Sequence, residues 1–265
     1  MSTGRDSLVR VTDTTAGPPA TTLALLHLAP RPGDLDGNRR QIETFAGAAA
    51  RAGARLIVTP ELALSGYGFA ERIGTDWIAE GQAERLAWAA DLAQRCGAFL
   101  LLGTPEADGV LYNGLLLFAP DGARLGGHRK VNALRVGSEA WSTPGDSITV
   151  LVADGIGRLG LAICADLFSP RFVAETAAPG IDLVVSAAAW APGLHGPAGE
   201  WERASADTGR PVVVCNRTGL DSMDFTGSRS VAAVGGAIAF AYGGAAPATL
   251  LVDWRDGALA NWRVA

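Results

Sequence analysis

The chain has 265 residues, 48% of them apolar and 18% charged, with a formal net charge of −5. This is the composition of a well-cored globular protein, and its acidic balance offers no electrostatic reason to expect nucleic acid or an anionic membrane as partner. No run approaches the roughly 18 apolar residues of a membrane-spanning helix.

Residues 1–20 (MSTGRDSLVRVTDTTAGPPA) lack the apolar core of a signal peptide, and their Ser, Thr, Gly and Pro content predicts a mobile extension. Residues 21–265 follow as one expected domain. Thr22 to Leu26 is a short apolar run of strand length. After the loop from Ala29 to Asp34, Ile42, Phe45, Ala46 and Ala49 fall on one face of a helix that starts at Asn38 and stops near Gly53. Leu56-Ile57-Val58 reads as a buried strand ending at Thr59-Pro60-Glu61. A second helix is expected over Gln82 to Cys96, with Trp88, Leu92 and Cys96 at intervals of four, leading into a strand at Phe99 to Gly103. Further strands are expected at Gly114–Phe118, Ile148–Ala153, Leu159–Cys164, Leu183–Ser186, Pro211–Cys215 and Thr249–Asp253. A short helix follows Pro170, up to about Ala178. With no repeat and no linker after residue 35, this pattern predicts a single α/β unit of mixed sheet covered by helices.

Chemistry-bearing residues sit where these elements end. Pro60 ends regular pairing, so Glu61 leaves the sheet as a strand-end carboxylate, a common place for catalytic groups but also for a solvated loop residue. Cys164 stands at a strand-to-polar switch before Ala165-Asp166, where a nucleophile emerges or a structural thiol is buried. Cys96 and Cys215 read as core. The three cysteines cannot all pair, and they lack zinc-site spacing; an odd, sparse count suits a reducing cytosol. Lys130 lies in a basic cluster after Gly126-Gly127 that reads as a solvated loop, with nothing local to set it above Arg129. Gly155 to Gly160 matches GxGxxG, but its third glycine enters an apolar strand rather than opening a helix, so a strand-to-strand turn is expected and not a nucleotide site. Asn216-Arg217-Thr218 matches a glycosylation acceptor, without a secretory signal to bring it to the machinery. A Cys–His pair would need His27, His128 or His195, and nothing in the sequence places any of them beside Cys164.

Taken in order, these segments resemble the nitrilase superfamily of carbon–nitrogen hydrolases, whose signature is a Glu after a strand, then a Lys, then a Cys. Leu56 to Tyr67 is similar to the glutamate segment, with Asn38 heading the helix before it. Arg129-Lys130 follows Tyr112-Asn113 and Pro120-Asp121-Gly122. Glu139 with Trp141 and Pro144-Gly145 resembles a second glutamate region, and Gly160 to Asp166 the nucleophile segment. Asn216 to Gly219 and Phe225 to Ser228 come later in the expected places. The likeness runs from about residue 22 to about residue 254. It implies a four-layer α–β–β–α sandwich of two stacked mixed sheets, a homodimer or higher homo-oligomer, a small-molecule substrate, and neither a metal nor an organic cofactor; the cytoplasm is the location expected from the cysteine count and the N-terminal composition.

The resemblance also implies catalytic roles for Glu61, Lys130 and Cys164, with Glu139 as a supporting carboxylate. A free thiol of pKa about 8.5 is only a few per cent thiolate at neutral pH and needs a base or a cation. Glu61 would take the thiol proton, pass it to the leaving amine and then activate water. Lys130 and the backbone N–H of Ala165 would stabilise the oxyanion. Trp190 is similar to the family's pocket-edge aromatic. Departures stand beside the nucleophile: Ala165 where an aromatic is usual, Pro170-Arg171 where an acidic residue follows the proline, Asn132 where a histidine is usual, and Arg203-Ala204 as a loose echo of an Arg-Ala pair. Arg171 would suit an acidic substrate or a surface pair. The expected reaction is hydrolysis of a small amide or carbamoyl-type carbon–nitrogen bond through a cysteine thioester. Nitrile hydrolysis by the same residues and a non-catalytic binding or regulatory role are the alternatives, and retention of the ionisable positions argues against the last.

Overall fold

The computed structural model describes residues 21–135, 137–177, 180–255 and 257–265; the expected N-terminal extension lies outside the described residues. In chain order the elements are β1 (Thr21–His27), α1 (Leu35–Arg51), β2 (Ala54–Val58), α2 (Ala70–Ile73), α3 (Trp77–Glu80), α4 (Gln82–Cys96), β3 (Phe99–Asp108), β4 (Val110–Phe118), β5 (Arg124–Arg129), β6 (Thr149–Ala153), β7 (Gly157–Ile163), α5 (Pro170–Ala177), β8 (Leu183–Ala188), α6 (Glu200–Thr208), β9 (Val212–Asn216), β10 (Ser230–Val234), β11 (Ala237–Tyr242), β12 (Ala248–Arg255) and β13 (Ala258–Val264). A seven-stranded sheet runs β13-β12-β1-β2-β3-β4-β5 and a six-stranded sheet β11-β10-β9-β8-β7-β6. Both are mixed: β1, β2 and β3 pair in parallel, as do β7, β8 and β9, with antiparallel strands outside them.

Alternation along the strands builds the layers. Leu23, Leu25, Leu56, Val58, Phe99, Leu101, Leu115 and Leu117 face the second sheet and meet Leu159, Leu161, Val185 and Val213 in one core. The intervening Ala24, Leu26, Ile57, Leu100, Leu102, Leu116 and Phe118 face outward onto Ile42 and Ala46 of α1 and Trp88 and Leu92 of α4. Strand side chains point to opposite faces with period two, so strands buried on both faces read as unbroken apolar runs. On the far side, Trp201 and Ala204 of α6 and Phe172 and Val173 of α5 join the core cluster of the second sheet. The result is the α–β–β–α sandwich.

Several expectations are corrected. Asn38 does not head α1: Asp34 does, its carboxylate accepting from Gly37 N (2.9 Å) as an N-cap. Asn38 is instead buried in the first turn, donating to Arg31 O (2.8 Å) and Leu64 O (3.0 Å) and so tying the loop after Glu61 to the helix. The basic stretch at 126–130 is not a solvated loop. Arg124–Arg129 is β5, paired antiparallel with β4 through Gly114↔Arg129 to Phe118↔Arg124. Its RLGGHR sequence has no apolar alternation, because its two glycines lie against Leu116 and Leu151 where side chains would not fit. The expected strands at 99–103 and 114–118 are the paired cores of a longer hairpin, β3–β4, closed at Gly109. The helix after Pro170 is present as α5; its expected end at Ala178 lies outside the described residues. The turn at 154–156 does join antiparallel strands, β6 and β7.

Candidate active site

Strand ends of both sheets converge on one buried cluster. β2 delivers Thr59-Pro60-Glu61 beyond its last pair. The turn is held by Thr59 N–H donating to Leu101 O (3.0 Å) and Gly103 N–H donating to Thr59 Oγ1 (2.9 Å). A Cβ on Gly103 would stand 2.1 Å from Pro60 O, so only glycine lets the strands pass this closely. β5 delivers Lys130 one residue past its end, where Lys130 N–H donates to Asn113 O (2.9 Å) and Gly145 N–H to Lys130 O (2.8 Å). A one-turn 3₁₀ helix, Gly137–Glu139, supplies Glu139, and Cys164 follows directly on the end of β7.

Lys130 Nζ lies 2.8 Å from Glu61 Oε1 and 2.8 Å from Glu139 Oε1, with all three side chains at most 1% exposed. Asn113 Nδ2 donates to both carboxylates, at 2.7 Å and 3.0 Å. Glu61 Oε2 accepts the backbone N–H of Ala189 (2.8 Å), and the Cys164 thiol donates to Ala189 O (3.8 Å). One peptide residue thus bridges the carboxylate and the thiol.

Burial raises the Glu61 carboxyl above its ordinary value, against the pull of Lys130. Lys130 is driven the other way by burial, but the surrounding negative groups, Glu61 first, win and hold its ammonium well above the ordinary range. Burial, then the Glu61 charge, lifts Cys164 well above an ordinary thiol, so the resting group is the thiol. A protonated thiol beside a carboxylate and an ammonium is arranged for proton transfer coupled to attack, since the thiolate alone is the nucleophile.

Backbone strain collects here. Leu62 (φ 51°), Cys164 (φ 47°) and Arg135 (φ 54°) are left-handed without being glycine, and each adjoins the cluster or the loop after Lys130. Such residues cost of order 1–3 kcal/mol and persist where their surroundings fix them. At Cys164 the fixing group is Asp166. Its carboxylate accepts from Ile163 N (2.8 Å), Val131 N (3.0 Å), Asn132 N (2.7 Å) and His128 Nε2 (2.9 Å). Asn132 Nδ2 donates to Ala165 O (2.7 Å). The lysine segment and the Cys164 turn are therefore clamped together by one buried acid. Ala165 N–H, at the start of the one-turn segment Cys164–Phe168, has no acceptor three residues back within that turn.

Cys164, Lys130, Ala165 and Trp190 open onto a cleft of about 630 Å³. Trp190 is held by Asn216, which accepts from its backbone N–H and donates to its carbonyl, both at 3.0 Å. Arg217 lies farther back, paired with Asp221, which also accepts from Tyr67 N (2.9 Å) and Gly68 N (2.7 Å). Cys215 is buried in β9 with its thiol toward Leu26 O and Val58 O, and Cys96 is half-buried against the α1–α4 core. His27 is buried elsewhere and His128 is buried with its ring on Asp166; His195 lines the cleft but is exposed, while the thiol's hydrogen bond goes to Ala189. Arg171 points to solvent and pairs with Glu175, the surface pair rather than a substrate contact.

The carbon–nitrogen hydrolase model matches residues 22–263. The chain belongs to the carbon–nitrogen hydrolase family. Among relatives of this family, a nitrilase of Pyrococcus abyssi is 31% identical over 165 residues, covering 61% of this chain and 62% of that protein. A hydrolase encoded in the pqqF 5′ region of Pseudomonas protegens is 33% identical over 171 residues, 62% of this chain and 57% of that one. The chain thus spans about 60% of the length of these relatives. Among solved structures, the amidase of Nesterenkonia sp. AN1, from the nitrilase superfamily, superposes with a TM-score of 0.79 at 26% identity, covering 90% of this chain and 92% of that one. Another form of that amidase, with acrylamide added to its active-site cysteine, gives a TM-score of 0.78 at 26% identity over 89% and 93% of the two chains.

Within this member of the carbon–nitrogen hydrolase family, sequence reading missed the parts played by Asn113, Asp166, His128 and the Ala189 backbone. Asn113 and Asp166 were visible only as members of motif blocks. The Ala189 contribution is a peptide group, which carries no side-chain signal at all.

Proposed function

We infer that the chain hydrolyses the carbon–nitrogen bond of a small amide or carbamoyl-type substrate through a thioester on Cys164, releasing ammonia or an amine. The observation that carries this reading is the buried Glu61–Lys130–Glu139 cluster, whose Lys130 lines the same cleft as Cys164. Glu61 takes the thiol proton as Sγ attacks the carbonyl carbon. The oxyanion is stabilised by Lys130 Nζ and Ala165 N–H, and losing one such donor typically costs about 2.7–4 kcal/mol in the barrier. The tetrahedral adduct collapses as Glu61 returns the proton to the departing nitrogen, leaving the thioester. Water then gives a proton to Glu61 and attacks the thioester, and the carboxylic acid leaves as the thiol is re-formed. Glu139 keeps Lys130 charged and aimed, and Trp190 shapes the substrate wall.

The test is ammonia release from a panel of primary amides. Wild type is expected to turn over, and Cys164→Ala to be inactive with an unchanged circular-dichroism spectrum; turnover surviving in Cys164→Ala refutes the reading. Matched nitriles in the same assay address the second reading, which the nitrilase relative of P. abyssi favours. The reading includes a small-molecule substrate, a cytoplasmic protein with neither nucleic acid nor membrane as partner, and a homodimer or higher homo-oligomer, checked by sedimentation equilibrium. Among the described residues, no helix is long and apolar enough to cross a membrane.

A further inference from the structure

The cleft mouth is apolar in a way the reaction itself does not require. Leu134 (52% exposed), Phe168 (46%), Leu194 (94%) and Met223 (44%) are large apolar side chains left open to solvent, and all four line this one cleft. Scattered exposed apolar residues need no explanation, but a contiguous set around a concave site does. Behind them the wall is rigid. Phe168 packs on Trp190 with ring centroids 4.6 Å apart, Trp201 supports Trp190 edge-on at 5.7 Å, and the Trp190 indole N–H donates to His195 O (3.0 Å).

Close to Cys164 the lining narrows to methyl groups, Ala165, Ala189 and Ala191, which leaves width beside the nucleophile. Charge points the same way. Among the described lining residues Lys130 is the only lysine, arginine, aspartate or glutamate, and its ammonium is already engaged by Glu61 and Glu139. Two carboxyl groups against one ammonium leave no lysine or arginine among these residues to receive an anionic substrate; His195, at the exposed rim, is the one other basic side chain, and an unpaired carboxylate moved into an apolar site is costly.

We propose that this cleft selects uncharged amides with a bulky apolar acyl group, aryl or branched alkyl, seated between Phe168, Trp190 and Met223, and rejects amides that carry a carboxylate. The proposal rests on the reading of Cys164 as the reacting group, and binding separates the two. Succinamate and 4-methylpentanamide are isosteric, differing only in whether the far end is a carboxylate or an isopropyl group. Titrated into Cys164→Ala protein, 4-methylpentanamide is expected to bind at least tenfold more tightly than succinamate. With wild type, kcat/KM is expected to rise along acetamide, propionamide, butyramide and hexanamide by about fourfold per buried methylene. Phe168→Ala should flatten that series by raising KM for hexanamide, with its kcat retained.

Equal or tighter binding of succinamate overturns the proposal, whether or not any amide is hydrolysed. A flat series with active enzyme also overturns it. So does a Leu194→Asp variant that dissociates an oligomer yet leaves 4-methylpentanamide affinity unchanged, since that assigns the apolar rim to a second copy of the chain. Selective amide binding without turnover would instead uphold the cleft chemistry and refute the hydrolase reading.

Discussion

Lys130 is withdrawn from water and bonded to two carboxylates, which makes it the most constrained charge of the site. Removing one partner of a buried pair typically costs about 3–5 kcal/mol, because the remaining charge is left uncompensated. Glu61→Gln keeps the shape and the Ala189 contact while removing the proposed base; kcat is expected to fall about 10²- to 10⁴-fold in steady-state assays. The pH profile follows from the same environment. In the proposed mechanism Glu61 must be ionised to accept the thiol proton, and burial raises its pKa above 4.5, so activity should fall on acidification through a midpoint above that value. Cys164 is raised well above 9.0 and Lys130 well above 10.5, so neither sets an alkaline limb below pH 9. An acid limb at or below 4.5, or loss of kcat/KM between pH 7 and 9, contradicts these assignments. Asp166 acts at one remove from the chemistry. Asp166→Asn replaces an acceptor-only group facing four donors with one that is half donor. Its kcat should drop at least about tenfold with KM little changed, given about 1–3 kcal/mol for each donor left unsatisfied; a fall in folded fraction with normal kcat per folded molecule would make Asp166 merely structural.

At the scale of elements, close passage of backbones places the residues. Gly103 lets β3 run beside Pro60, and Gly145 lies 2.3 Å, measured from a built Cβ, from Arg129 O next to Lys130. Gly103→Ala should destabilise the fold by about 1–3 kcal/mol, the usual cost of forcing atoms into a filled interior, read from urea unfolding; an unchanged midpoint would show that the strand end relaxes freely. The strands that were legible, such as β2, β7, β8 and β9, are buried on both faces and so announce themselves as apolar runs. β5, β10, β11, β13 and α6 were not, nor were the one-turn helices α2 and α3. β5 is glycine-rich, β13 is an exposed edge with Trp262 and Val264 half in solvent, and α6 buries mainly Trp201, Ala204 and Ser205. None of these carries enough apolar periodicity to be read locally.

For the whole molecule, the two sheets act as a scaffold whose strand ends meet. Glu61, Lys130 and Cys164 come from β2, β5 and β7, elements of different sheets, and their convergence is a property of the stacking rather than of any segment. Local reading left Glu61 and Lys130 looking like loop residues and Cys164 ambiguous. The ordered resemblance joined them, and the geometry places them around one buried cluster. What no sequence pattern carried was the bridging: Asn113 across both carboxylates, Asp166 across β5 and β7, and a peptide group between acid and thiol. Those links depend on register, and a one-residue slip in a strand turns every side chain to the opposite face.

The central claim is that Cys164 becomes acylated during turnover. Protein incubated with a hydrolysable amide, quenched in acid and measured by intact mass with peptide mapping should gain the acyl mass, the amide less ammonia, on the peptide holding Cys164. An acyl group found on Cys96 or Cys215, or product formed with no adduct and undiminished in Cys164→Ala, would contradict it.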